Sequence, residues 1–96
     1  MASYYYKTKK IDTSVFTPLH LVKTASEIYT NLIIVNNSSY DIKVIEHDGN
    51  VNPDETEGTL LGAGKILDYE DRIPKNAVYI YGSTPEPTTI LIKYSE

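Results

Sequence analysis

Ninety-six residues with a net charge of −4 and no cysteine make one domain with a modest core, and exclude disulfides, thiolate metal sites and thiol nucleophiles. An apolar share of 41% is that of a globular chain and excludes wholesale disorder. Nine tyrosines against one phenylalanine and no tryptophan suit rings that bury a face while keeping a wet hydroxyl, as interface residues do.

Charge is split along the chain: residues 1–10 carry +3 and the remainder −7. The first thirteen residues, MASYYYKTKKIDT, show neither clean alternation nor a helical period, so 1–13 reads as an extended arm, ordered only where something receives it. Tyr4, Tyr5, Tyr6, Lys7, Lys9 and Lys10 are its candidate partner-binding residues. Aromatics interleaved with lysines can stack on bases, but the acidic body argues against nucleic acid and favours an acidic protein surface. The lysines follow three tyrosines without the apolar stretch of a signal peptide, and the longest aliphatic run, 32–35, is too short to span a membrane.

Residues 14–96 read as a single β-sandwich domain. VFTPLHLVK (15–23) is an edge strand or one broken at Pro18, which cannot donate to a ladder. Thr24–Ala25–Ser26–Glu27 has the form of a capping box with no apolar stripe after it, so a single turn is expected. TNLIIV (30–35) is apolar on both faces, as a central sandwich strand is. Asn36, Asn37, Ser38 and Ser39 supply a turn, YDIKVIE (40–46) alternates, and the two runs are expected to form a hairpin.

HDGNVNPDETEG (47–58) is the one long loop, acidic and without a basic residue. Asp48, Asn50, Asn52 and Asp54 alternate like the first ligands of a calcium loop. Pro53 then stands where the sharp turn needs glycine and Thr59 where a glutamate is needed. The loop reads as a solvated turn, with those four residues as its weak calcium candidates. Leu60 and Leu61 begin a short strand, Gly62–Ala63–Gly64 turns, and strands follow at 66–69, 78–81 and 90–94. Val78 and Ile80 face inward, Tyr79 and Tyr81 outward, where they form a possible surface contact. Strands every 8 to 12 residues and no three-turn helix give an all-β fold. The expected form is a small antiparallel sandwich, or partly open barrel, of about six to seven strands.

Catalytic constellations are not evident. His20 and His47 are the only histidines, adjacent His47 and Asp48 point to opposite strand faces, and Ser83 lies in a GSTP turn. Asp68, Glu70 and Asp71 could supply paired carboxylates, but Asp68 and Glu70 alternate with Leu67 and Tyr69 as a solvent face does. No enzyme activity, catalytic residue, cofactor or metal is assigned.

Leu61, Ala63, Gly64, Ile66 and Asp68, followed by Val78, Tyr79, Ile80 and Gly82, carry a recognisable pattern of turns and alternation. With Leu32 to Asn37, Ser39 and Asp41 to Val44 upstream, it resembles the small β-sandwich virion structural proteins of tailed bacteriophages. The resemblance implies a head decoration or auxiliary capsid protein, or a fibre-associated module, without catalytic residues. It further implies major capsid or other virion proteins as partners, a homo-oligomeric or lattice-bound state, and location in the virion after assembly in the host cytoplasm. The alternative is a carbohydrate- or receptor-binding sandwich presenting Tyr79, Tyr81 and the acidic loop. Loop 47–58 departs from the tightest versions of the pattern.

Overall fold

The computed structural model describes residues 6–47, 53–70 and 72–96. Among them are eight strands: β1 (Lys7–Thr13), β2 (Leu19–Lys23), β3 (Asn31–Val35), β4 (Ile42–His47), β5 (Thr59–Leu61), β6 (Ile66–Asp68), β7 (Ala77–Tyr81) and β8 (Thr88–Ser95). A 3₁₀ turn covers Glu55–Glu57. Two four-stranded sheets form, in the orders β1-β8-β3-β6 and β2-β7-β4-β5, and every pairing is antiparallel. Each chain connection crosses between the sheets except β4 to β5. That is the jelly-roll arrangement of two interleaved Greek keys.

Period-two alternation builds the core. Ile34 pairs with Ile92 and Val44 with Ile80, and with Leu32, Ile42, Val78 and Ile90 they fill the space between the sheets. Each such side chain contributes about 1.5–3 kcal/mol on burial. Tyr29 closes one end, its ring stacked on Tyr94 at 4.7 Å. Val78 and Ile80 are buried while Tyr79 and Tyr81 are half-exposed, as the alternation requires.

Two expectations are corrected. Residues 30–35 and 40–46 do not form a hairpin, because β3 and β4 belong to different sheets. The intervening segment is an arch organised by Asn36, which is fully buried. Its side-chain amide sits among the carbonyls of Tyr40, Leu61 and Gly62 at 2.8, 3.0 and 3.1 Å. Its Oδ1 accepts from the Ser38 hydroxyl at 2.6 Å. A hairpin turn would leave that amide in solvent and those carbonyls without it.

Secondly, residues 7–13 are not an arm ahead of the sandwich: they are β1, in register with β8 from Lys7↔Tyr94 to Thr13↔Thr88. The receiving element is the chain's own last strand. The pattern hides this because the inward positions read Lys9, Ile11 and Thr13, so no apolar alternation appears. Lys9 is tolerated there because its ammonium donates to the Val22 carbonyl on β2 and lies 5.2 Å from the centre of the Tyr94 ring. An inward-facing charge on an edge strand also guards that edge against stray pairing. The expected fold class, a small antiparallel β-sandwich, is the one observed, with eight described strands where about six to seven were expected. β2 begins only after Pro18, at the sheet edge expected for it.

Candidate interaction surfaces

The outer faces follow from register. On the first sheet, Leu91, Val35 and Ile66 stand in one row beside Lys10, and Ile66 is well exposed. On the second, Leu19, Tyr81, Lys43 and Leu60 form one row and Leu21, Tyr79 and Ile45 the next. Ile45 points outward yet is fully buried.

Ile45 is covered by the end of the acidic loop, which is no merely solvated turn. Pro53 is buried. Gly58 lies so close to β4 that a Cβ there would come within 2.7 Å of Lys43 Cβ and 3.0 Å of Ile45 Cγ1, so only glycine admits this approach. Asp54 caps the 3₁₀ turn by accepting from the Thr56 N–H at 2.9 Å, with Glu57 reciprocating on the Asp54 N–H. The first of these bonds, with a second contact to the Thr56 side chain, holds the Asp54 carboxyl below its usual range. His47 Nδ1 meets Glu57 Oε2 at 2.9 Å. Of the four calcium candidates, Asp48, Asn50 and Asn52 lie outside the described residues, and Asp54 is committed to capping. Among the described residues no group of three or more His, Asp or Glu is placed to hold a metal ion.

The paired tyrosines border this loop. Hydrogen bonding to Glu55 raises the Tyr81 phenol, and the Tyr79 ring meets the His47 ring edge-on at 6.5 Å. The histidines are not brought together: His20 Nε2 is bonded to the Thr17 carbonyl at 2.7 Å, at the other end of β7 from His47. Asp68 accepts from the Glu70 N–H at 2.9 Å, a local turn in which Glu70 takes φ 55°; Asp71 is outside the described residues.

The basic N-terminal residues are largely engaged within the molecule. Tyr4 and Tyr5 lie outside the described residues, and Tyr6 is exposed. Lys7 pairs with Glu96 at 3.2 Å, Lys9 is tied to Val22 and Tyr94, and Lys10 faces solvent on the outer side of β1. Sequence reasoning saw a basic arm; in the structure Lys7 and Lys10 are exposed lysines of a strand, Lys7 paired with Glu96.

Clefts open among the described residues where strands stop short. One, of about 370 Å³, is lined by Val44, Glu46, Glu57, Thr59, Leu67 and Tyr69. It lies where β5 covers β4 only as far as Val44. Burial, then the nearby Glu46 charge, pushes the Tyr69 phenol up to about 12. Another, of about 340 Å³, has walls of Ala25, Ile28, Tyr29, Ile73 and Pro74. Here Glu27 accepts from the Thr24 N–H and the Tyr29 hydroxyl, both at 2.9 Å. Those bonds, the Thr24 one first, hold its carboxyl below the ordinary range. Sequence reasoning missed both clefts, since their walls come from segments far apart in the chain, strands in the first and loops in the second.

No protein-family model matches the chain, and no curated protein matches it. A solved structure from work on Bacillus endospore appendages that form a family of disulfide-linked pili is similar, with a TM-score of 0.48 and 12% identity. The match covers 98% of this chain and 91% of that chain. At that score and identity the likeness says nothing about what this chain does.

Proposed function

We propose that this protein is a non-catalytic assembly module, a jelly-roll subunit of a tailed-phage virion that works by burying surface against neighbouring protein. The observation that carries this reading is the pair of outer sheet faces. The first presents a register-aligned apolar row, Ile66–Val35–Leu91, and the second sets Leu19 beside Tyr81, with Leu60 on the far side of Lys43. Leu21, Leu60 and Ile66 are each at least 45% exposed. Contiguous exposed apolar surface of this kind marks sites that a partner covers. The virion as its location is supported by the sequence pattern of residues 61–82.

Co-sedimentation with purified phage particles tests the reading. The intact chain should pellet with capsids in a saturable ratio, and Val35→Lys with Leu91→Lys, both outward-facing, should reduce that ratio severalfold. Failure of the intact chain to pellet would remove the virion assignment. Saturable binding of a soluble glycan, lost on Tyr81→Ala, would assign the tyrosine face to carbohydrate instead.

A further inference from the structure

Phe16 is 91% exposed, an unusual cost for the one phenylalanine of the chain. Its turn is not loose. The Val15 N–H donates to the Thr84 carbonyl at 2.9 Å and the Gly82 N–H to the Pro18 carbonyl at 2.8 Å. Within the turn the Thr17 N–H reaches Ser14 Oγ at 3.3 Å, and His20 bonds the Thr17 carbonyl. An aromatic ring is thus held outward on a pinned turn, with half-exposed Val15 beside it. Rigid, exposed aromatics of this sort are the anchors of protein interfaces.

The cleft walled by Ala25, Ile28, Tyr29, Ile73 and Pro74 is its counterpart. At about 340 Å³ it exceeds the roughly 150 Å³ apolar cavity that accepts a benzene ring, so a phenyl group and part of a valine fit. Ile28 at its mouth is 83% exposed, and covering it would remove a second apolar side chain from water. Charge favours the same pairing: exposed Glu86 lies on the 82–87 loop next to the Phe16 turn, and the cleft lining carries Lys23 and exposed Lys75 against the single carboxylate of Glu27.

Ring and cleft cannot meet within one molecule. β7 starts at Ala77 beside the cleft, where Val78 pairs with Lys23, and ends at Tyr81, which pairs with Leu19 near Phe16. They lie at opposite ends of the same two strands. We propose that Phe16 of one copy seats in the Ile28–Ile73 cleft of the next, joining copies head to tail. The contact is heterologous, so it closes into a ring or runs on as a filament. This deepens the assembly reading by naming a second copy of the chain as one neighbour.

Sedimentation of the purified chain alone tests the contact, independently of any particle. A knob of one aromatic residue buries little area, so association is expected on the order of 0.1 mM. The average mass should climb past that of a dimer as concentration rises. Phe16→Asp, which removes the knob, and Ile28→Glu, which blocks the cleft, should each weaken association about 30-fold or more. Both positions are exposed, so melting should be unchanged. Mixed together, the two variants should form a one-to-one dimer and stop, since one intact knob meets one intact cleft. A wild-type chain that stays monomeric to about 1 mM, a Phe16→Asp chain that associates normally, or a mixture that stays monomeric would each overturn the proposal. None of these outcomes would decide particle binding, which has its own assay.

Discussion

The two ends of the sandwich differ in how densely buried polar groups tie their loops together. At the end formed by loops 14–18, 36–41, 62–65 and 82–87, buried polar side chains join the loops to one another. Asn36 ties the β3–β4 arch to the turn after β5. Thr84 Oγ1 is hydrogen-bonded to the Thr13 carbonyl at 3.0 Å and the Glu86 carbonyl at 2.8 Å, and both threonines are buried. At the other end one buried lysine, Lys23, joins loops 24–30 and 72–76 by donating to the Thr24 and Asn76 carbonyls at 2.9 and 3.3 Å. The rest of both loops carries exposed groups such as Glu27 and borders a mainly apolar cleft. Satisfied buried polar groups specify one geometry because any other arrangement strands them away from water. Beyond Lys23 the loops of the second end largely face solvent, carry no such penalty and can leave apolar surface for something else to cover. The rigid end therefore presents a protruding ring, and the open end a receptacle.

The sharpest way to break this contrast is Asn36→Ala. It should cost about 3 kcal/mol in denaturant unfolding, since several buried carbonyls lose their donor at once. A loss below about 1 kcal/mol would mean that the arch is held by its backbone alone. Thr84→Val keeps the shape but removes the donor, and should cost about 1–2 kcal/mol.

At the opposite end effects should be smaller and tied to pH. The Tyr69 phenol is raised from 10 to about 12, so its neutral form is favoured by folding. That stabilisation is complete below pH 10 and is lost as the pH climbs toward about 12. Tyr69→Phe should flatten the alkaline loss of stability and remove one late step from the tyrosinate absorbance titration. If every tyrosine of the wild type ionised near pH 10, the burial assigned to Tyr69 would be wrong. Glu27→Gln should have the least effect, no more than about 0.5 kcal/mol, because the group is exposed and screened. Its depressed pKa fixes the sign. The contribution is present above the ordinary 4.5 and fades as the pH falls through the lower folded-state value, which carboxyl chemical shifts would follow.

Strand positions were legible where one face is apolar and the other polar. Val78 to Tyr81 alternates cleanly, and its inward and outward assignments stand in the structure. β1 was illegible because Lys9 and Thr13 occupy inward positions, satisfied by a carbonyl, a ring and a threonine network far along the chain. The β3–β4 arch was read as a hairpin for a related reason. Asn-rich turns serve both, and what separates them is whether the asparagine meets distant carbonyls. The acidic loop was read by composition alone, which misses that Pro53 is buried and that Gly58 brings the loop down against Ile45.

By itself the order of residues determined the class of the fold: short β-branched and aromatic runs of period two, punctuated by glycine, proline and asparagine, can bury their apolar faces only as packed sheets. It also ruled out thiol chemistry, because no cysteine is present. Only the tertiary structure decided which strand lies beside which, that the basic N-terminal segment is the edge of a sheet, and that an exposed ring and an apolar cleft sit at opposite ends. The reason is physical. Alternation reports a local choice between two faces, whereas strand order and the pairing of buried polar groups depend on atoms brought together from segments dozens of residues apart.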